Sequence, residues 1–342
     1  MPVYSSIDTR ALIISGGVRY WGKSAGSDYF SPTPQTFVID LSTSWNTTNP
    51  EIKELSSKEA PTAPLTSTLS VDGNDWLVIG SDHLAHNYNI ATNTWTNSQW
   101  NTQGSDYNQT FTAEPVVAAA TDPTTGTIYL PGGFKDGERG YGMTKTAIGA
   151  RDIPVLIPMY AGSNSPLNTT RLATWNAALG SMIEYNEGTG ELHSFNETNG
   201  RNGAWKKLKT SGLGPGALSA YGGSKMVMFG GLKDDKSLRD VRILDIATMN
   251  WTRGADVPPS DARDGMACAV SYDSLIVWGG VNSNTVQLQD VMPLVYNIMT
   301  DKWVNEYRAE PMPKPTPTLI TSTDSDSLAA LSGTTDDDMD GQ

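Results

Sequence analysis

The chain has 342 residues but only one cysteine, Cys268, and three histidines, His83, His86 and His193. A single cysteine cannot close an intrachain disulfide, and a chain of this size does not need one to fold. Cys268 sits in an apolar strand-like run and reads as a small buried hydrophobe rather than a nucleophile. His83 and His86 could touch one ion, but no carboxylate or cysteine follows at ligand spacing, so they read as loop residues. No apolar run reaches about 18 residues, which excludes a helical membrane span. The N-terminus enters a strand at once, without a basic start and apolar core, so no signal peptide is expected. Those absences point to the cytoplasm. Five Asn-x-Ser/Thr sites, at Asn46, Asn108, Asn168, Asn196 and Asn250, point instead to secretion or the cell surface.

Positive charge is also scarce. There are 24 Lys and Arg against 37 Asp and Glu, a formal net charge of −13, and six aspartates lie beyond residue 320. Such a surface repels phosphate backbones, so nucleic-acid binding is not expected. The short run Lys206-Lys207-Leu208-Lys209 reads as an edge strand protected by lysines. His-Glu-x-x-His is missing, which removes the commonest zinc-protease signature. The terminus Asp336-Asp337-Asp338-Met339-Asp340-Gly341 opens like a calcium loop, but the bidentate Glu that should close it is not there. It reads as an acidic tail.

Tryptophan is present, and regularly spaced. Trp45, Trp95, Trp205, Trp251 and Trp303 are separated by 50, 110, 46 and 52 residues, the long gap being two periods. Each follows a short apolar run ending in Asp or Asn, as in Tyr88-Asn89-Ile90, Leu244-Asp245-Ile246 and Tyr296-Asn297-Ile298. A second series consists of apolar strands closed by Gly-Gly: Leu12 to Gly17, Ile128 to Gly133, Met226 to Gly231 and Leu275 to Gly280. Degenerate copies lie at Leu77 to Ser81 and Met182 to Glu187. A period near 50 means a stacked or closed array of one unit that cannot bury its own apolar face alone. Each unit reads as two consecutive hairpins, with Gly-Gly ending the second strand and Trp opening the fourth.

Paired glycines after an apolar strand, an aromatic-Asx step and a Trp about six residues later resemble the kelch motif, strongest in the last unit with its Arg263-Asp264-Gly265. The resemblance covers about residues 3 to 308 and is closest to fungal kelch proteins with Asn- and Thr-rich blades. It implies an all-β fold: a β-propeller of four-stranded antiparallel blades, six of them, over residues 1–308. Residues 309–342 are then a Pro/Ser/Thr/Asp-rich tail, or an incomplete seventh blade if 317–333 form a hairpin. The third unit lacks its Trp. There Ile153 to Ile157 is the expected outer strand, and Arg171 to Ala177 should open the fourth unit.

The kelch-like propeller of galactose oxidase holds copper through His, Tyr and a Cys-linked Tyr, and this chain lacks that ligand set. Nor does Glu187 to His193 fit the Glu-x3-Asp-x3-His iron site of plant kelch proteins that divert glucosinolate breakdown. No catalytic residue, cofactor or metal is therefore expected. Kelch rings bind partners through second-to-third-strand and inter-blade loops, here Tyr20 to Tyr29, His83 to His86, Phe134 to Tyr141, Lys233 to Lys236 and Asn282 to Thr285. On or beside them stand Tyr20, Trp21, His83, His86, Phe134, Arg139, Tyr141 and Arg239, which include the aromatic and Arg types that dominate binding energy. The expected function is a monomeric, non-enzymatic module that presents this loop face to a protein partner. The alternative is a cell-surface propeller that binds or acts on glycans, related in fold to galactose oxidase.

Overall fold

A computed structural model describes residues 4–7, 11–15, 18–24, 27–32, 35–56, 58–61, 64–80, 85–98, 109–110, 118–136, 140–146, 155–158, 171–186, 190–196, 204–208, 217–221, 224–285, 287–288 and 292–309. The acidic tail and the hairpin considered at 317–333 fall outside them. Among the described residues the only helical element is a 3-10 turn at Pro259–Asp261. The strands form successive antiparallel sheets, each made from one contiguous stretch of chain. Sheet I comprises Tyr4–Ile7, Ala11–Ser15, Thr36–Asp40 and Ile52–Glu54; sheet II comprises Pro64–Leu69, Asp75–Gly80, Ala85–Asn89 and Thr94–Ser98. Sheet III holds Ala120–Thr121, Ile128–Asp136, Gly140–Thr146 and Val155–Pro158, with Gln109–Thr110 added beside the far end of its long strand. Sheet IV holds Arg171–Asn176, Ser181–Asn186, Glu191–Asn196 and Ala204–Lys207. Sheet V holds Ala217–Tyr221, Lys225–Phe229, Val241–Asp245 and Asn250–Arg253; sheet VI holds Ala267–Ser271, Ser274–Trp278, Leu294–Asn297 and Lys302–Val304.

Strands a to d are named in chain order within each sheet. The a strands lie side by side from I to VI, and that of VI returns to that of I. The described central side chains of the b strands are buried on both faces, because these strands are sandwiched between neighbouring sheets. Side chains alternate along a strand, so Ile13 packs toward sheet II with Trp76 and Val78, while Leu12 and Ile14 pack toward sheet VI with Ile276 and Trp278. Met226 and Met228 likewise face sheet IV, and Val227 and Phe229 face sheet VI. Double-sided burial is why these strands read as unbroken apolar runs rather than alternating ones. Cys268 is half-buried against the sheet V–VI cluster, less enclosed than its pattern suggests.

The Asx before each Trp has a local cause. In Asn89-Ile90-Ala91-Thr92, the Asn89 carboxamide accepts from the Thr92 backbone N–H at 2.9 Å and hydroxyl at 3.0 Å. Asp245 and Thr248 repeat this at 2.8 and 2.8 Å, and Asn297 and Thr300 at 2.8 and 2.9 Å. These side chains fold the c–d turn themselves, which is the reason short polar residues favour such positions. The hydrogen bonds hold the Asp245 carboxyl below the usual carboxylate range. The residue two before Trp95, Trp251 and Trp303 is left-handed: Asn93, Met249 and Asp301 have φ of 55°, 55° and 55°. In sheet VI the Tyr296 hydroxyl donates to Asp301. Burial, and then that carboxylate, push the hydroxyl above its ordinary range, so it remains a proton donor.

Two of these tryptophans then latch sheet to sheet. Trp95 in strand d of sheet II donates its indole N–H to the Ser56 carbonyl at 2.8 Å, just beyond strand d of sheet I. Trp303 does the same to the Ala255 carbonyl, 2.8 Å away and just beyond strand d of sheet V. Trp45 departs from the expectation. It does not open strand d of sheet I; Trp45–Asn46 pairs with Glu306–Tyr307, and strand d comes later at Ile52–Glu54. The Asn46 carboxamide bonds to the Thr48 N–H at 2.9 Å, turning the chain away after two paired residues. The first Trp therefore joins the two ends of the array.

Gly-Gly also acts between sheets. Gly230 and Gly231 have φ of 62° and 100°, Gly279 and Gly280 of 64° and 94°. A Cβ on Gly230 would stand 2.6 Å from the Arg263 carbonyl oxygen, which itself accepts from the Gly231 N–H at 2.9 Å. Backbone on the approach to sheet VI thus occupies the space a side chain would need. Gly230→Ala is expected to cost about 2–4 kcal/mol from left-handed strain plus displacement of that contact, measured by urea unfolding. A loss below about 0.5 kcal/mol, the level of a neutral surface change, would mean the approach is compliant. In sheet III the pair behaves otherwise. Strand b runs on through Pro131-Gly132-Gly133 to Asp136, and its pairing shifts between Pro131 and Phe134, so the glycines form a bulge rather than an end.

Without a Trp, sheet III still completes four strands, with Val155–Pro158 as the outer strand beside Gly140–Thr146. Its Tyr129 instead stacks on Trp175 from strand a of sheet IV, rings 6.1 Å apart and 10° from parallel. Arg171–Asn176 is that strand a, matching the sequence expectation. Lys206 and Lys207 lie exposed on the edge strand of sheet IV, where Lys207 pairs with Glu191.

Candidate functional site

The b–c connections, one class of the expected recognition loops, are in several sheets not loops but short ribbons. In sheet I, Val18–Ser24 pairs with Ser27–Pro32, placing Tyr20 opposite Phe30 and Trp21 at a bulge between Tyr20 and Gly22. In sheet III, Phe134 and Tyr141 lie within the long hairpin, opposite Gly142 and Lys135. These four expected binding residues are thus placed on strands rather than in irregular loops. His86 is displaced further. It lies in strand c of sheet II, is 3 % exposed, and its Nδ1 is 3.3 Å from the Glu59 carbonyl. A ring packed in a sheet cannot meet a partner as a loop residue would. His83 and Arg139 lie outside the described residues.

Arg239 belongs to a more defined arrangement. In sheet V the b–c connection is a ribbon, Leu232–Lys233 against Lys236–Ser237, turned by Asp234 and Asp235 at φ of 50° and 57°. Two consecutive left-handed residues are what a two-residue hairpin turn requires, and Asp tolerates them. The equivalent ribbon in sheet VI pairs Val281–Asn282 with Gln287–Leu288. The two ribbons are tied together. The Ser237 hydroxyl donates to Asp264 and accepts from the Ser283 N–H at 2.7 Å; Ser283 Oγ donates to Asp264 at 2.6 Å. Asn284 Nδ2 donates to the Ser237 carbonyl at 3.1 Å, and Asn282, 0 % exposed, donates to the carbonyls of Pro259 and Ser260 at 3.0 and 3.1 Å. Almost every polar group in this seam has a partner, which makes it stiff.

Against the seam lies a cleft of about 530 Å³ whose lining includes Lys233, Lys236, Arg239, Arg242 and Arg253, with Asp240 the one carboxylate among the described residues. Its walls come from the ribbon, strands c and d of sheet V and the connector to sheet VI. Strand a contributes nothing, so the cleft lies away from the inner strands. Arg242 and Arg253 are directly opposite in register. Like charges so placed repel, and each has its own carboxylate. Arg242, 4 % exposed, grips Asp240 with Nε at 2.8 Å and Nη2 at 3.2 Å, and its Nη2 also reaches the Gly230 carbonyl at 3.3 Å. Arg253 holds Asp256 through Nη2 at 2.8 and 2.9 Å and Nε at 3.2 Å. Those hydrogen bonds raise the Arg253 pKa further above its ordinary value. Arg239 shares the same Asp256 at 3.3 Å. No ion pair involves Lys233 or Lys236 among the described residues.

Sequence reasoning placed Arg239 and the Lys233–Lys236 and Asn282–Thr285 segments here. It missed Arg242 and Arg253, and it found no basic patch of useful size. The cations are scattered along the chain, and only the c–d register and the turn geometry gather them. Among the described residues no group of three or more His, Cys, Asp or Glu side chains is arranged to hold a metal ion.

Residues 215–258, which contain sheet V and its connector, match the kelch motif. The fold is that of a kelch-type β-propeller. A solved structure entitled "Structure of YjhT" is similar in fold, with a TM-score of 0.59 at 12 % identity over 89 % of this chain and 97 % of that one. No curated protein matches the chain. The kelch-type propeller accounts for the a-to-d order of each sheet and for ribbons that emerge at the b–c edge. A kelch-repeat propeller is, at this level, a protein-interaction architecture.

Proposed function

We propose that this kelch-type propeller is a non-enzymatic interaction module that presents its b–c edge to a partner protein. The observation that carries the reading is the division of labour between sheet and ribbon. Strand side chains are consumed by packing between sheets, whereas the b–c ribbons of sheets V and VI stand beyond that core and are stiffened by their own hydrogen bonds. Recognition elements on a rigid scaffold lose little conformational freedom on binding. A stacked-sugar site has less support here, because among the described residues no aromatic ring lines the cleft.

Affinity capture from the source cells with the purified chain, followed by mass spectrometry, tests the reading. One polypeptide should be enriched by the wild-type chain. It should be lost when Tyr20, Trp21, Phe134, Arg139 and Arg239 are replaced together by alanine without a change in the far-ultraviolet spectrum. Retention of the partner by that variant, or selective binding on a sugar array with no enriched polypeptide, overturns it.

A further inference from the structure

We propose that the cleft between the sheet V ribbon and strands c and d is a docking site for an acidic peptide segment of the partner, one bearing clustered carboxylates. This rests on the interaction-module reading and names the chemistry of its partner.

The argument is charge placed against the trend of the molecule. The chain carries −13 overall, yet five of its cations line one cleft beside a single carboxylate. Arg242 is consumed by Asp240 and by the Gly230 carbonyl. It forms the floor, and its burial leaves it unable to reach a ligand. Arg239 and Arg253 are different. Their side chains are 46 % and 65 % exposed, and one carboxylate, Asp256, serves both. Lys233 and Lys236 flank the hairpin turn and are exposed. Asp234 and Asp235, in the turn itself, offset part of their charge but do not line the cleft. Four cations therefore border a recess in which, among the described residues, Asp240 and Asp256 pair with the arginines, and Asp234 and Asp235 stand only in the turn beside it.

The recess is also preformed. Ser237, at the foot of the ribbon, is fixed by Asp264, Ser283 and Asn284, so the lysine-bearing strands are held in place before any ligand arrives. Planar guanidinium groups suit carboxylate oxygens, and lysines at the rim add point charges.

A peptide is favoured over nucleic acid by scale and by field. The cationic surface is one short recess, whereas strand binding needs a track of many phosphate contacts. Beyond the recess the acidic remainder of the chain repels a polyanion, while screening over about 8 Å at physiological salt lets a short acidic segment enter.

The test uses the full chain and fluorescein-labelled peptides in anisotropy titrations. A short poly-glutamate peptide should bind, with affinity falling as salt rises, and a Gly-Ser peptide of equal length should not. Lys233→Glu with Lys236→Glu, and separately Arg239→Glu, should each weaken the poly-glutamate affinity by about tenfold or more while leaving the melting temperature in place. Reversal of Lys206, exposed on sheet IV and away from the cleft, should leave it unchanged. A phosphoserine peptide identifies the source of the anion: equal or weaker binding than poly-glutamate supports the carboxylate assignment, and binding by phosphoserine alone overturns it. Preference for a single-stranded oligonucleotide overturns it as well. If cleft variants keep normal poly-glutamate binding but the captured partner is still lost from the loop-face variant, the cleft assignment falls and the module reading stands.

Discussion

Tyr307→Ala is expected to destabilise the propeller by about 3–5 kcal/mol, among the largest effects of any single substitution in the chain. Tyr307 is 0 % exposed and lies in the cluster that joins sheets I and VI. Its ring stacks on Trp45 with centroids 5.1 Å apart, and its hydroxyl is 3.2 Å from the Leu41 carbonyl and 3.0 Å from Ser271 Oγ. The backbone pairs Glu306–Tyr307 with Trp45–Asn46, and flanking bonds run from the Thr47 N–H to the Asn305 carbonyl at 2.9 Å and from the Ala309 N–H to Ser44 Oγ at 3.0 Å. Each of sheets I to VI is built from contiguous chain, so none of them takes a strand from the other end of the array. The seam between sheets I and VI is instead fastened by this short segment. Truncation to alanine leaves a cavity and two buried polar groups without their partner. Tyr307→Phe keeps the ring and should cost only about 1–2 kcal/mol. Arg308→Ala, at an exposed neighbour, should stay within about 0.5 kcal/mol. Equilibrium urea unfolding distinguishes the three, and a Tyr307→Ala loss no larger than that of Arg308→Ala would show the seam closed by the a strands alone.

Much of the fold was readable in the residues because its repeated devices are local. Asn89, Asp245 and Asn297 make their turns with a Thr three residues on, and Trp95 and Trp303 occupy a fixed offset after them, so the series survives as spacing. What a residue does across a seam was harder to see. Trp45 has the same spacing as its counterparts, yet it pairs with Glu306–Tyr307, a contact between chain ends that no local pattern encodes. Gly132-Gly133 looks like Gly230-Gly231, yet in sheet III the chain continues through a bulge. His86 reads as a turn residue because it follows the apolar strand ending at Gly80-Ser81; the register of Ala85–Asn89 puts it inside a sheet. The candidate site was legible as segments but not as a charge distribution. Lys233 and Lys236 are close in sequence, whereas Arg253 joins them only because strand d pairs with strand c.

Trp303→Ala should produce a loss of similar size, about 3–5 kcal/mol, for a related reason at a different seam. The Trp303 indole lies 5.0 Å from Phe229 of sheet V, edge-on, and 5.2 Å from Tyr296 of its own sheet, while its N–H bonds to the Ala255 carbonyl. Packing and hydrogen bonding therefore both cross from sheet VI to sheet V. Trp303→Phe retains part of the packing but orphans the Ala255 carbonyl, and about 1–3 kcal/mol of loss is expected for that group. A double-mutant cycle with Phe229→Ala isolates the ring contact, with an expected coupling of about 0.5–1.5 kcal/mol. The form of unfolding carries as much information as its midpoint. If the sheets are mutually dependent around the array, with the a strand of VI returning to that of I, weakening one seam should lower a single cooperative transition. An open stack would instead release sheet VI first and show two transitions, because each unit of a solenoid contacts only its neighbours. A single transition shared by Trp303→Ala and Tyr307→Ala, monitored by both tryptophan fluorescence and far-ultraviolet circular dichroism, would show that the two seams hold one structure. Two transitions, or a coupling near zero between Trp303 and Phe229, would show that the Trp series packs each sheet without binding it to the next.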